Sequence, residues 1–245
     1  MNRWLAGVVM AVALIQTAGC SEVTISGKTA KDVFQDPQTL ALVEAACDGD
    51  LSKIDALVKQ GANVNAVGYR DMTPLFWTME CKNYAGVEKL LELGANPNYK
   101  MEGDISAMWA SAGSSDPHFL PMMLAHGGDP NIRAGYQTAL MVAIEQGRMD
   151  EVNMLLTHGA DINEHDSVGN TAATYAAALA KFDVVIMLLK RGYNFDLPQL
   201  ALRVNGRVVP EDSNLSLEKQ QVLDMLRERG VKFPLPPPSE MPLLP

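Results

Sequence analysis

The 245-residue chain is 47% hydrophobic and 20% charged, enough apolar material for a sizeable core and too much for global disorder. A formal net charge of −9 argues against a phosphate-backbone binder, which needs a basic face, and an aromatic content of 6% argues against a base-stacking platform. Nucleic acid is therefore not an expected partner, and three cysteines are too few for a disulfide scaffold.

Asn2 and Arg3 make a polar, positive start, and Trp4 to Ile15 is an unbroken run of apolar residues and glycine. The run is short of the ~20 residues that cross a ~30 Å hydrocarbon core, so it reads as the apolar part of a signal peptide over 1–19. Ala18, Gly19 and Cys20 follow, and they resemble a bacterial lipobox, in which a peptidase cuts before the cysteine and its thiol carries a lipid. Thr17 departs from that pattern, where Leu or Val is usual. The alternative is ordinary cleavage near Ala18 and a soluble periplasmic product. Ser21 stands where an Asp would resemble an inner-membrane retention signal, so the resemblance implies a lipoprotein on the periplasmic side of the outer membrane, touching the membrane only through Cys20. The polar stretch from Ser21 to Asp36 has no sustained apolar period and reads, with Cys20, as a flexible tether over 20–36.

Beyond it the chain repeats itself. A glycine after an apolar run recurs at Gly61, Gly94, Gly127, Gly159 and Gly192, at spacings of 33, 33, 32 and 33. Four positions later stand Asn65, Asn98, Asn131, Asn163 and Asp196, and ahead of each glycine is a pair such as Leu90-Leu91 or Leu155-Leu156. Thr73-Pro74-Leu75, Thr138-Ala139-Leu140 and Thr171-Ala172-Ala173 open units. A threonine caps a helix well, and a proline in the first turn lacks only an N–H that would be unpaired anyway. Small residues at Ala45-Ala46, Ala143 and Ala176-Ala177 let paired helices approach, and Gly49 and Gly147 end the first helices. Val152, Leu155 and Leu156, like Val185, Leu188 and Leu189, keep a helical period in the second helices.

The pattern resembles the ankyrin repeat family. The resemblance implies an all-α solenoid of stacked helix-turn-helix units: five repeats over 37–196, a degenerate capping repeat with an inserted loop over 197–233, and a proline-rich tail over 234–245. The third unit is the odd one, because over residues 111–118 it has no glycine at the usual helix-end position and it carries Pro121 in its second helix, which should shorten that helix. The last unit reads as a short helix from Leu197 to Val204, a loop over 205–212 and a final helix from Leu217 to Arg229, with Glu218, Lys219, Arg227 and Glu228 on its outer side. The tail has two readings, an untethered extended terminus or a docking peptide.

No phosphate-cradling glycine loop, His-Glu-x-x-His or Gly-x-Ser-x-Gly is present, so neither catalysis nor a cofactor is expected. His126 and His158 occupy equivalent places before two stop glycines; they read either as a metal pair or, more simply, as polar residues suited to a helix C-terminus, and no metal is expected. Cys47 and Cys81 lie near the ends of neighbouring first helices, which leaves two readings open, a disulfide in an oxidising compartment or two buried thiols. Trp77 and Trp109 fall within first helices and are expected in the core.

A chain without catalytic groups is left with binding. The ankyrin resemblance implies that partners meet the concave side, built from the finger turns and the exposed positions of the first helices. Mapped onto this sequence, the first finger offers Tyr69, Arg70, Asp71 and Met72, and the second Lys100, Met101, Glu102 and Ile105. The third offers Arg133, Tyr136 and Gln137, and the fourth His165, Asp166 and Val168; Glu80, Glu145, Gln146 and Leu179 come from the first helices. Tyr, Met and Arg are enriched in interface cores. A lipid-anchored ankyrin array resembles the immunity proteins of type VI secretion phospholipase effectors, which implies a monomeric protein that binds and inhibits a toxic enzyme. The alternative is a periplasmic ankyrin scaffold in envelope maintenance or oxidative-stress protection. Replacing Cys20 by Ser is expected to move the protein from the membrane fraction to the soluble fraction; if it stays membrane-bound, the lipid reading fails.

Overall fold

The computed structural model describes residues 23–235. The segment read as a signal peptide, Cys20 and the tail beyond 235 lie outside the described residues. Within them the regular secondary structure is almost all helix, joined by turns and loops. After a short α1 (Ala30–Val33), helices follow in consecutive pairs: α2 (Pro37–Asp48) with α3 (Leu51–Lys59), α4 (Pro74–Glu80) with α5 (Tyr84–Glu92), α6 (Ala107–Gly113) with α7 (Phe119–Ala125). Then come α8 (Ala139–Glu145) with α9 (Met149–Thr157), α10 (Ala172–Ala178) with α11 (Phe182–Lys190), and α12 (Leu197–Asn205) with α13 (Asn214–Glu228). The two short strands β1 (Arg133–Ala134) and β2 (Gln137–Thr138) pair antiparallel between α7 and α8. Among the described residues no helix is long and apolar enough to cross a membrane.

Each first helix starts on a side-chain cap. The oxygens of Asp36, Thr73, Ser106, Thr138, Thr171 and Asp196 accept the backbone N–H three residues on, which satisfies an otherwise orphaned donor. Gly49 and Gly147 close their helices with φ of 73° and 72°; Lys82 and Ala180 take the same left-handed conformation where glycine is absent. Pro121 has the expected effect: α7 has 7 residues where α3, α5, α9 and α11 have 9.

The repeated asparagine joins unit to unit. Asn65 Nδ2 donates to the Gly94 carbonyl at 2.8 Å and Asn65 Oδ1 accepts from Asn96 N at 2.8 Å. Asn98 makes the same two bonds to Gly127 and Asp129, both at 2.8 Å, and Asn131 makes them to Gly159 at 3.2 Å and Asp161 at 2.7 Å. Asn163 Oδ1 accepts from the N–H groups of Asn194 and Phe195. Behind this ladder one continuous core runs from Leu42 through Leu90, Met123, Leu155 and Leu188 to Val231. No pair buries its apolar face alone, as a one-dimensional stack requires.

Both ends differ from the sequence reading. The stretch read as a flexible tether over 20–36 is packed from residue 23 onward. The Asp32 carboxylate caps the start of α1 by accepting from the Thr29 N–H and hydroxyl at 2.8 Å, Val33 and Phe34 are buried, and the Phe34 ring meets Trp77 edge-on at 6.0 Å. These residues share a second small core with Val43 and Cys47. The approach depends on Gly68, where a Cβ would stand 2.6 Å from the Val33 carbonyl oxygen. A window of polar residues hid two apolar anchors that have no periodic partner in their own segment. At the other end, α13 begins at Asn214 rather than Leu217 because Ser213 caps it. Arg229 ties α13 back, donating to the carbonyls of Tyr193, at 2.6 Å, and Leu189.

Cys47 and Cys81 are joined in a disulfide, with Cα atoms 5.4 Å apart. Their separation of 34 residues is one more than the common repeat spacing of 33, which sets Cys47 in the last turn of α2 against the cap residue of α4. The bond therefore staples the first two units together beside the docked N-terminal segment. Replacing both cysteines by Ser is expected to lower the unfolding free energy by roughly 2–4 kcal/mol, read from denaturant titration. An unchanged midpoint would deny the link a stabilising role. Asn98→Ala removes two bonds between units and is expected to cost about 1–2 kcal/mol in the same assay, with helicity retained.

Candidate binding face

The fingers are tight turns carried between the second helix of one unit and the first helix of the next. In the first, Gly68 N donates to the Met72 carbonyl at 2.8 Å, and Arg70 and Asp71 are both left-handed. In the second, Met101 N donates to the Ile105 carbonyl at 2.8 Å. The third is the β1–β2 hairpin. In the fourth, the buried Asp166 carboxylate accepts from the N–H groups of Val168 and Asn170 and from the Asn170 side chain, at 2.8–2.9 Å. Asp166 thus builds its turn rather than facing a partner.

Side chains lace the fingers to one another and to the first helices. Arg70 Nε meets Glu102 Oε2 at 2.5 Å, and the carboxylate raises the pKa of the guanidinium further. Trp109 Nε1, on α6, donates to the Gln137 carbonyl at 2.9 Å, and the Gln137 amide donates to Glu145 at the end of α8. Arg133 pairs with Glu164 and donates to the His165 carbonyl at 2.5 Å. Arg203 on α12 reaches Asn170 Oδ1 at 3.1 Å. Fingers and first helices therefore form a single braced face.

The residues singled out in the sequence differ in what they offer on it. Tyr69 and Tyr136 are each 52% exposed and Val168 is 69% exposed, a large apolar offering for turn tips. Glu80 and Glu145 are exposed at the ends of α4 and α8; solvent reaches Glu80, yet the protein crowded around its carboxyl raises its pKa against the opposing pull of Lys82. Arg70, Glu102 and Gln137 are present on the face but already bonded within it. His165 is exposed at one edge and stacks on Phe195 at 4.2 Å. Met72 and Ile105 are half-buried, Met72 against the small N-terminal core. Met101 departs from the expectation: only 7% of it is exposed, because its turn carries the side chain inward, and it offers no contact.

Tyr69 has a neighbour that the sequence did not announce. The Lys28 ammonium, from the docked N-terminal segment, lies 4.6 Å from its ring centroid. Trp77 is core as expected, whereas Trp109 is only half-buried and serves as a brace. Tyr175 on α10 is a further residue here. It is half-buried on the same face, and its pKa is pushed up to about 12, chiefly by burial, with Tyr136, Asp166 and Glu145 adding to the shift. Its signal was faint: it sits four places after the capping Thr171, where Trp77 and Val142 stand in other units. His126 and His158 are committed separately, His126 Nε2 to Glu88 Oε1 and His158 Nδ1 to the Met154 carbonyl, both at 2.8 Å, so the two do not form a pair.

Comparison with known proteins agrees with the architecture. Residues 107–199 match the family model of ankyrin repeats, in three copies. The chain is 30% identical over 148 residues to protein PhlB of Serratia liquefaciens, a match covering 60% of this chain and 65% of that protein. It is 29% identical over 174 residues to the human SH3 and multiple ankyrin repeat domains protein 2, covering 67% of this chain and 9% of that protein. An ankyrin repeat domain-containing protein, SAT10 of Stachybotrys chartarum, is 30% identical over 158 residues, covering 64% of this chain and 8% of that protein. The chain thus spans slightly under two thirds of the first of these relatives and less than a tenth of the other two. The chain carries ankyrin repeats, a fold that generally serves as a non-catalytic scaffold for binding other proteins.

Proposed function

We propose that this ankyrin-repeat chain is a non-catalytic, lipid-anchored binder of the bacterial envelope, an immunity protein that captures and inhibits a toxic secreted effector, with a phospholipase as the candidate. The observation that carries the binding role is the braced finger face with Tyr69, Tyr136 and Val168 standing out of rigid turns. Turn tips need no apolar side chains, and exposed aromatic groups held in fixed conformations lose little entropy on binding. The envelope address rests on the lipobox-like Ala18-Gly19-Cys20, and the immunity role on the likeness of a lipid-anchored ankyrin array to immunity proteins of type VI secretion phospholipase effectors. One protein partner would meet a monomeric array from the finger side.

The test is recovery of a partner by a soluble form beginning at residue 21, from cells challenged by a secreting competitor, followed by affinity measurement. Tyr69→Ala and Tyr136→Ala are each expected to weaken binding by about 2 kcal/mol, roughly thirtyfold, with helicity and melting unchanged. Asp183→Ala, exposed on α11, should change neither. A partner that binds the double tyrosine variant as well as the parent rules this face out. Recovery of a housekeeping envelope protein, with no effect on survival under attack, rules out the immunity role.

A further inference from the structure

The finger face is not uniform. Toward its first and second fingers the prominent groups are already engaged: Arg70 with Glu102, Tyr69 with Lys28, Met72 against the N-terminal core, and Met101 within the protein. Around α8 and α10 the balance changes. Tyr136 projects from the hairpin tip, Tyr175 lies half-buried on α10, and Glu145 is exposed at the end of α8. Among the described residues neither tyrosine hydroxyl has a hydrogen-bond partner, and the Glu145 carboxylate is held by the Gln137 amide alone.

The cations nearby are spent elsewhere. Lys181 Nζ donates to the main-chain carbonyls of Ile144, at 2.5 Å, and Glu145, at 3.2 Å. Arg133 is taken by Glu164 and the His165 carbonyl, and Arg203 by Asn170. Asp166 is filled by its own turn. What remains open is a set of acceptors and aromatic faces: the Gln137–Glu145 bond sets the hairpin tip beside the end of α8, and α10, which carries Tyr175, packs against α8.

We propose that Tyr136, Tyr175 and Glu145 form a slot for one cationic side chain of the protein partner, an arginine in preference to a lysine. This rests on the finger-face reading above and names the chemistry of its partner. A ring face attracts a cation through its quadrupole, and a planar guanidinium stacks on tyrosine while its fork meets a carboxylate in a way that an ammonium cannot. The Gln137 amide fixes Glu145 before the partner arrives, and Trp109 fixes Gln137 through its carbonyl, so the slot is organised in advance. An acidic chain carrying a formal charge of −9 also favours approach of a basic partner surface.

The test uses the soluble form beginning at residue 21, labelled for NMR, with the capped peptide acetyl-Gly-Arg-Gly-amide as probe. Its citrulline analogue, which keeps the shape and loses the charge, is the control. The arginine peptide is expected to bind at roughly millimolar strength and to shift the amides around Tyr136, Gln137, Glu145 and Tyr175, with citrulline weaker by about tenfold. Glu145→Gln and Tyr136→Ala should each weaken the arginine peptide by a similar factor while the rest of the spectrum is preserved. Equal response to citrulline, shifts centred elsewhere, or full binding to Glu145→Gln overturns the slot. With the natural partner in hand, loss of affinity in Tyr136→Ala but none in Glu145→Gln overturns the slot and leaves the finger-face reading standing. Indifference to both substitutions overturns the slot, and indifference to the double tyrosine variant as well overturns both readings.

Discussion

One asparagine per unit holds the array in register. Standing four residues after a glycine that stops the second helix, it gives its amide N–H to the carbonyl of the next such glycine. It takes the N–H two residues beyond that glycine onto its own oxygen. Both groups it satisfies are main-chain groups in the turn just after a second helix, where no helical bond pairs them. Each bond contributes only about 1 kcal/mol net, but it fixes the rotation of one unit against the next. The core behind depends on that rotation, because one buried cluster runs through Leu90, Met123, Leu155 and Leu188 from unit to unit.

A stack of this kind has two raw ends, and the chain treats them differently. The first pair is covered by residues 23–36, which insert Val33 and Phe34 against Trp77, and it is stapled to the second pair by the disulfide in the same small core. At the other end the long α13 of the last pair closes the stack, with Val222, Leu223 and Leu226 buried and Arg229 reaching back to the carbonyls of the preceding unit. Cross-linking the terminal units suits an array in which fraying starts at the ends.

The finger face inherits its rigidity from the same stack. Its turns are short, closed by main-chain bonds, and tied to their neighbours by Arg70–Glu102, Trp109–Gln137 and Arg133–Glu164. Side chains on it are therefore presented rather than left to search. This favours recognition of one surface over adaptation to many, since the ordering cost on binding has been met in folding.

The repeat, its period, the caps and the helix stops were all visible in the residues. Each answers a local backbone demand that few side chains meet: an oxygen at a helix N-terminus, φ > 0 at its end, an amide that can give and take. The short α7 was visible for the same reason, because Pro121 acts on its own helix. The direction of Met101 was not, since a turn tip says where a residue stands and only packing says which way it points. The docking of Phe34, the closure of Cys47 on Cys81, and the bond from Trp109 to the Gln137 carbonyl were likewise settled only by tertiary structure. Each joins residues from different units, and small changes of register and rotation between units decide which side chains come together.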